Sequence, residues 1–327
     1  MKIYKWGIIG LGHIAAKFAE GLTVLPNATL YGVASRDEGK AKAFAENFNV
    51  PNFYSSYDTL LSNPEIDVIY IATPHSLHCE LILLCIKHKK AVLCEKPVTI
   101  NGKELLQVRM AAQTAKTFLM EAMWTRFVPS MHKALALVEE GAIGAVRIVK
   151  ADFGFRGSKD PKGRHLNPEL AGGALLDVGI YPLFLSLLFL GKVLEVKAMA
   201  DIGATGVDES MGLLIRFEQR RMAVLTASFV ADTGLEAEIC GEKGTLKIHR
   251  HWWRQSALTL RKEDGSEEHF SFPKIGNGYN FEAAEVMRCL DKGLCESPLH
   301  ALDFSQRMMQ LMDQIRKECG IVYPGDI

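Results

Sequence analysis

Short apolar runs alternate along the first 122 residues with segments in which apolar residues recur every three or four positions. The runs are typical of buried strands, and the periodic segments are typical of amphipathic helices. The predicted strands are 4–9, 29–34, 68–72, 91–94 and 118–122, and the predicted helices are 13–22, 37–47, 57–61, 76–88 and 101–116. This alternation indicates an α/β arrangement, in which a parallel sheet is covered by crossover helices.

Beyond residue 124 the pattern changes to successive strands between helices. The predicted strands are 145–155, 194–202, 210–218, 221–230, 235–240 and 244–249, and the predicted helices are 129–140, 178–190, 280–292 and 302–319. Because the connections at 218–221 and 241–244 are short and polar, the strands that they join are expected to pair antiparallel. The second half is therefore predicted to be an α+β domain.

The length and composition are typical of two globular domains packed together. A chain of 327 residues is long for one domain, and no linker rich in Pro, Gly and Ser separates the halves. We expect a first domain over 1–122 and a second over 123–327. With 48% hydrophobic and 23% charged residues, the chain can bury a substantial core.

Charge and cysteine content exclude several classes of partner. Lys plus Arg and Asp plus Glu each number 38, so we expect neither nucleic acid nor a membrane surface as a partner. Glycines interrupt the first apolar run, so it is not expected to be a signal segment, and no uninterrupted apolar stretch is long enough to span a bilayer. Seven scattered cysteines without a Cys-x-x-Cys pair are typical of a reducing compartment, so a cytoplasmic protein with free thiols is predicted.

The first predicted strand ends in a turn with the spacing Gly-x-Gly-x-x-Ala. In a dinucleotide-binding turn, the first glycine permits the tight bend and the second lets the backbone approach a pyrophosphate. The free N–H groups of the following helix would attract the phosphates. The residues of this turn assigned to a cofactor are Gly10, Gly12, His13 and Ile14. The same small residues also serve ordinary strand-to-helix turns, which is the alternative.

The end of the second predicted strand bears on the choice of nucleotide. Ser35 and Arg36 stand where an NAD-selective protein usually places a carboxylate on the ribose. An arginine can pair with a 2′-phosphate through two hydrogen bonds, and Lys40 can assist, so NADP is favoured over NAD. The alternative is that Arg36 is a solvated loop residue and that Asp37 merely caps the next helix.

The third long strand ends in Thr73, Pro74 and His75, followed by His78. Ligands of open α/β sheets bind at the carboxyl ends of the strands, so Pro74 is expected to fix a turn over the cofactor. No further ligand pattern accompanies the two histidines, and therefore no metal is expected. Local capping and packing are the alternative roles for both histidines.

Three ionisable side chains are candidates for proton transfer. Lys96 follows Glu95 at the end of the next strand, where an ammonium group could polarise a carbonyl, although a Glu–Lys surface pair is the simpler alternative. Asp177 and Tyr181 are four residues apart and share one face if a helix starts near Asp177. A helix cap for Asp177 and a core position for Tyr181 are the alternatives.

Together these motifs resemble those of the Gfo/Idh/MocA family, named for glucose-fructose oxidoreductase, inositol dehydrogenase and rhizopine catabolism. The signatures are spread over nearly the whole chain and comprise 10–15, Thr73-Pro74, Glu95-Lys96-Pro97 and 173–181. Within the family, the runs 121–127, 175–181 and 313–317 are similar to the dimeric dihydrodiol dehydrogenase branch, which includes NADP-linked xylose dehydrogenases. The resemblance implies a Rossmann domain followed by an open, mostly antiparallel sheet that forms a dimer face.

The resemblance also implies roles for individual residues. Lys96 is catalytic, with Asp177 and Tyr181 beside it. Many family members have His four residues after the Asp, whereas the dihydrodiol branch has Tyr; Tyr181 is therefore assigned as proton donor, with Lys96 favouring its ionisation. Beyond the glycine turn, the implied cofactor-binding residues are Ser35, Arg36, Lys40, Thr73, Pro74, His75, His78, Glu95 and Lys96. The implied substrate-binding residues are Trp124, Phe153, Asp177, Tyr181, Trp253 and Tyr279, although each aromatic side chain also suits a core.

The expected protein is an NADP-dependent oxidoreductase and a homodimer. It would pass a hydride between C4 of the nicotinamide and a carbinol carbon of a sugar, polyol or cyclic diol. The alternative is a non-catalytic regulator of the same fold that senses NADP(H).

Overall fold

The computed structural model describes residues 2–326. The first half contains a six-stranded sheet in the order β3-β2-β1-β4-β5-β6, in which every neighbouring pair is parallel. Its strands are β1 (Tyr4–Ile9), β2 (Ala28–Ala34), β3 (Asn52–Tyr54), β4 (Val68–Ile71), β5 (Ala91–Glu95) and β6 (Leu119–Ala122). The predicted parallel sheet is confirmed. Strand β3 was not predicted, because three residues at a sheet edge are too few to show an alternating pattern.

The helices of this half follow the prediction closely. They are α1 (His13–Leu22), α2 (Glu38–Phe48), α3 (Tyr57–Leu61), α4 (His78–Lys87) and α5 (Gly102–Ala115), with a 3₁₀ turn at His75–Leu77 before α4. The side chains of Asp37 and Asn101 cap α2 and α5, each accepting a hydrogen bond from a backbone N–H three residues on. Capping thus holds two of the helix starts in place.

The second sheet has eight strands in the order β14-β13-β12-β11-β7-β10-β9-β8. Its strands are β7 (Val146–Gly154), β8 (Val193–Ile202), β9 (Asp208–Phe217), β10 (Arg221–Ser228), β11 (Ala237–Gly241), β12 (Gly244–Ile248), β13 (Leu258–Lys262) and β14 (Glu267–Phe270). The hairpins β9–β10 and β11–β12 are antiparallel as predicted, and only β7 and β10 pair in parallel. Strands β13 and β14 were not predicted, since the largely exposed residues of β14 show no apolar alternation.

Helix α6 (Pro129–Glu139) precedes this sheet in the chain, and α7 (Ile180–Leu190) packs against β7 and β10. The segment Pro168–Leu190, which ends with α7, is 23 residues long and apolar enough to cross a membrane, contrary to our expectation. However, its most apolar window is 94% buried, and the core helix of a globular protein meets the same criterion. Its apolar character is accounted for by burial against the sheet.

Two further helices, α8 (Tyr279–Asp291) and α9 (Leu302–Cys319), follow the second sheet. The predicted boundary at residue 122 is only partly right. Lys274–Gln306 forms one compact unit with the chain up to Trp124, whereas Thr125–Pro273 forms the other with the chain from Arg307 onward. Long-range packing explains the return, because the Asn277 amide donates to the Lys17 carbonyl at 2.7 Å and Gly21 admits α8 against α1.

Candidate active site

The glycine turn after β1 has the geometry that a bound pyrophosphate requires. Gly10 adopts φ +87°, and a Cβ there would lie 2.7 Å from Thr73 Cγ2. A Cβ on Gly12 would meet no atom within 4 Å, and Gly12 begins α1 without a side-chain cap. The Thr73 hydroxyl is buried and has no hydrogen-bond partner within residues 2–326. Open space, free helical N–H groups and an unpaired hydroxyl together fit a dinucleotide phosphate.

The end of β2 presents two cations to solvent. Arg36 and Lys40 are both exposed, and within residues 2–326 neither forms a salt bridge. Asp37 caps α2, as the alternative interpretation expected, and accepts from the Lys40 backbone N–H at 3.0 Å. The Ser35 hydroxyl oxygen accepts from the Asp37 N–H at 3.2 Å. Capping occupies the Asp37 carboxylate, which leaves Arg36 and Lys40 available for a 2′-phosphate.

His78 joins the two turns at the carboxyl ends of β4 and β5. Its Nε2 lies 3.0 Å from the Thr73 carbonyl oxygen and its Nδ1 lies 2.8 Å from that of Pro97. The ring is completely buried, and this burial lowers the pKa of His78. The direct cofactor contact expected of His78 is not supported, because the ring faces backbone and has no exposed surface. Its neighbour His75 is also buried, with its ring 5.8 Å away.

After His78, a second buried residue, Glu121, also forms a hydrogen bond with the turn that carries Lys96. The Lys96–Pro97 peptide is cis, and the Val98 N–H donates to Glu121 Oε1 at 3.1 Å. His300 and Ser305 lie 3.1 Å and 2.6 Å from the other carboxylate oxygen. Burial alone would raise the pKa of Glu121, but these hydrogen bonds outweigh it and lower the pKa. Sequence reasoning noted Glu121 only as part of a family signature.

Glu95 lies beside another buried carboxyl group. The Tyr70 hydroxyl donates to Glu95 Oε1, and both residues are buried. Glu282 on α8 is completely buried, and neither of its carboxyl oxygens has a hydrogen-bond partner within residues 2–326. Burial and then the charge of Glu95 raise the pKa of Glu282 well above its usual range.

In the second unit, Asp177 lies in a π-helical turn, Leu175–Gly179, that continues into α7. The predicted helix start near Asp177 is therefore right, although the turn is wider than an α-helical one. Arg164 pairs with Asp177 at 2.5 Å, and His165 Nε2 lies 3.7 Å from the other carboxylate oxygen. Sequence reasoning missed both partners, because a loop between β7 and the π turn carries no periodic signal.

Tyr181 belongs to a cluster of aromatic rings in the same unit. The rings of Phe153 and Trp253 are stacked at 3.7 Å, and the Phe153 ring lies 5.3 Å from that of Tyr181. Tyr181 and Phe153 are nearly buried, whereas Trp253 is half-buried. An apolar wall with a phenol at its edge suits a ring-shaped substrate or the apolar face of a sugar.

The remaining two aromatic candidates pack on each other in the first unit. Trp124 and Tyr279 are stacked at 4.5 Å with nearly parallel planes. A Cβ on Gly278 would lie 2.8 Å from the Trp124 ring, so this glycine permits the close approach. The six predicted substrate-binding residues therefore divide into two groups, with Trp124 and Tyr279 in one unit and Phe153, Asp177, Tyr181 and Trp253 in the other.

Two family models match the chain. Residues 4–123 match the oxidoreductase family with an NAD-binding Rossmann fold, and residues 131–247 match the GFO/IDH/MocA C-terminal domain. A trans-1,2-dihydrobenzene-1,2-diol dehydrogenase of Xenopus tropicalis is 38% identical, over 98% of this chain and 99% of its own length. The match is therefore to a whole enzyme and not to a shared domain.

Solved structures agree with this match. KijD10, a 3-ketoreductase from Actinomadura kijaniata in complex with NADP and TDP-benzene, is 27% identical with a TM-score of 0.87, covering 97% of this chain and 98% of its own. An aldose-aldose oxidoreductase from Caulobacter crescentus, complexed with glycerol, is 25% identical with the same TM-score and covers 98% of each chain. With the glycine turn, Glu95-Lys96-Pro97 and the Asp177 turn in place, the chain belongs to the Gfo/Idh/MocA family of oxidoreductases.

Proposed function

We propose that this protein is an NADP-dependent oxidoreductase acting on a CH–OH or C=O carbon of a sugar, polyol or cyclic diol. The observation that carries the proposal is the presence of Lys96, Asp177 and Tyr181 in a chain that matches dihydrodiol dehydrogenases from end to end. The aldose-aldose oxidoreductase and the 3-ketoreductase extend the supported substrate class from diols to sugars.

The cofactor would lie along the carboxyl ends of the first sheet. Gly10, Gly12 and the start of α1 would hold the pyrophosphate, and the hydroxyl of Thr73 would donate to it. The exposed cations Arg36 and Lys40 favour NADP over NAD. When bound, the nicotinamide supplies the hydride acceptor or donor, and the protein supplies orientation and electrostatics.

Three side chains would act on the reacting carbon and its oxygen. Lys96 stabilises the negative charge that develops on the substrate oxygen, and Tyr181 exchanges the hydroxyl proton. Asp177, held by its ion pair with Arg164, orients a substrate hydroxyl group. Phe153 and Trp253 pack on the apolar face of the substrate.

Reduced-nicotinamide absorbance tests the proposal directly. Purified protein is mixed with NADP+ or NAD+ and a panel of pentoses, hexoses, inositols and trans-diols. We expect turnover with at least one member, with NADP+ preferred, and an Arg36→Asp variant should shift the preference toward NAD+. Tight NADP binding without turnover of any member would contradict the proposal and favour a cofactor-sensing regulator.

We further propose a homodimer formed through the outer face of the second sheet. On this face β-sheet pairing aligns Leu214 with Val224 and Met222 with Ile148, all four partly exposed, and Met199 is 82% exposed. An apolar stripe of this kind on a soluble protein is typical of an interface. We also propose a cytoplasmic location, where the seven cysteines, all free in the described structure, stay reduced.

Light scattering tests the dimer. A Val224→Lys variant places a charge in the stripe and should give a monomer, whereas Thr226→Lys, two residues on along the same face, should weaken association less. A wild-type protein that is monomeric at micromolar concentration would contradict the proposal.

A further inference from the structure

The turn that precedes Asp177 is packed so tightly that only glycine fits at one position. Gly173 adopts φ +114°, and a Cβ there would lie 2.2 Å from Asp208 Oδ1. A Cβ on Gly172 would lie 2.7 Å from the His165 carbonyl oxygen. The carboxyl group of Asp208 is thus in direct contact with the backbone at Gly173, just before the turn that carries Asp177.

Asp208 is also bonded to that segment. It is the first residue of β9 and is completely buried. Its Oδ2 accepts a hydrogen bond from the Leu175 N–H at 2.6 Å, at the first residue of the π turn. Its Oδ1 has no hydrogen-bond partner within residues 2–326. This is an anchor on the free N–H groups of a helix start, made by a residue distant in sequence.

The groups facing Asp208 leave it only partly stabilised as a carboxylate. Burial raises its pKa to about 7, against which the backbone N–H groups of Leu175, Asp208 itself and Ala174 and the charge of Arg316 act. Arg316 is already paired with Asp326 at 2.7 Å and Asp313 at 3.1 Å. The other titratable groups that sense its charge are the Cys319 thiol and Tyr323, whose hydroxyl donates to the Gly172 carbonyl at 2.6 Å.

We propose that Asp208 is a positioning residue for the reaction: its carboxylate, through the Leu175 N–H, sets the place of Asp177, and its protonation loosens that hold. An ionised acceptor forms a stronger hydrogen bond than a neutral one. Substrate binding should therefore weaken as the pH falls through the neutral range. This inference rests on the proposed function, since it assigns Asp177 to the substrate.

Kinetics on Asp208→Asn test the inference, with Asp201→Asn as matched control. Asp201 is an exposed residue of β8 in the same sheet. For wild type and control, KM is expected to rise up to about tenfold between about pH 8 and pH 6, with a smaller change in kcat. For Asp208→Asn, KM should be high and independent of pH in this range. A variant profile equal to that of wild type would overturn the inference.

Hydrogen exchange gives a readout that needs neither substrate nor a variant. In wild type, the protection of the Leu175 amide, corrected for intrinsic exchange, should fall about tenfold as the pH is lowered through 7, because local opening that leaves Asp208 buried then breaks a weaker hydrogen bond. Amides that exchange only through global unfolding should instead gain protection, because the fold is more stable when Asp208 is protonated. Leu175 protection that stays constant across this range would overturn the inference even if Asp208→Asn fails to fold. Absence of turnover with pH-dependent protection would instead contradict the proposed function and leave the role of Asp208 standing.

Discussion

The turn that carries Lys96 and the segment that carries Asp177 are each held by a buried carboxyl group, but the two groups differ in protonation. Glu121 is 1% exposed and accepts hydrogen bonds from three groups, so its pKa is lowered. Asp208 is 0% exposed, has one oxygen without a partner, and has a pKa raised to about 7. Burial alone therefore does not decide the charge of a supporting carboxyl group; the strength of its hydrogen bonds and the charges beside it also count.

The difference has a consequence for each of the two supported segments. Glu121 stays ionised across the neutral range, so its hold on the Lys96 turn does not change there. Asp208 changes its charge within that range, so the Asp177 segment is held with a pH-dependent strength. The charge of Glu121 is constant over the neutral range, whereas the charge of Asp208 depends on the pH.

Replacing Lys96, which lies on the turn that Glu121 holds, should have the largest effect on activity. Lys96→Met keeps an unbranched side chain only one atom shorter and removes its charge, so kcat should fall on the order of 10⁴-fold. NADPH affinity, followed by nicotinamide fluorescence, should change by less than about threefold, because the phosphate contacts are elsewhere. Lys103→Met, an exposed position on α5, serves as control and should be fully active. Full activity of Lys96→Met would refute its catalytic role.

The titration of Asp208 should be visible in the free energy of unfolding as a function of pH. Between pH values near 3.8 and 7, folded Asp208 keeps a proton that the unfolded chain has lost, so the wild type loses stability as the pH rises. The loss is on the order of 4 kcal/mol at most, from a shift of about three pKa units. Urea unfolding of Asp208→Asn should lack this loss. A pH-independent difference between variant and wild type would show that Asp208 does not titrate there.

The contribution of Glu121 to the free energy of unfolding should depend on pH in the opposite direction. Glu121→Gln turns one acceptor into a donor facing His300 and Ser305, which should lower the free energy of unfolding by about 3 kcal/mol at pH 7. Since the folded pKa of Glu121 is lowered, its stabilisation is present above the unfolded value near 4.5 and is lost as the pH falls below it. Urea unfolding at several pH values measures both. Glu46→Gln, exposed on α2, should resemble wild type throughout.

The smallest expected effect comes from the partly exposed partner of Asp177. The side chain of Arg164 is 56% exposed, so Arg164→Met should change the free energy of unfolding by less than about 1 kcal/mol. Loss of the ion pair leaves Asp177 less firmly oriented, and kcat/KM should fall about tenfold. Arg156→Met, which removes a more exposed ion pair with Asp232, is the matched control. Equal kinetics for both variants would argue against a role for Arg164.

Much of the first unit was predictable because its signals are local. Gly10 must adopt a positive φ in its own turn, and the side chains of Asp37 and Asn101 each accept a hydrogen bond from a backbone N–H three residues later. The residues that determine each feature therefore lie within a short stretch of chain. The parallel order of strands follows from the helices between them. The return of α8 to this unit was not predictable, since it depends on the fit of Gly21 and Asn277, more than 250 residues apart.

The candidate site divides in the same way. Lys96, Asp177 and Tyr181 stand in motifs that can be read along the chain, and their chemistry follows from the side chains alone. The groups that hold them, His78, Glu121, Arg164 and Asp208, have no local signal of these roles. Each acts on a backbone group or charge brought near by folding, and its protonation depends on burial and on donors from other elements.

Residue types and their spacing were thus enough to predict a dinucleotide-binding sheet, a second, mostly antiparallel sheet and the candidate reacting groups, because these depend on local backbone geometry and side-chain chemistry. Folding in three dimensions decided which buried carboxyl groups are charged and which turns they support. Charge in a protein interior is set by the distances to donors and by the exclusion of water, and neither exists until distant segments have packed together.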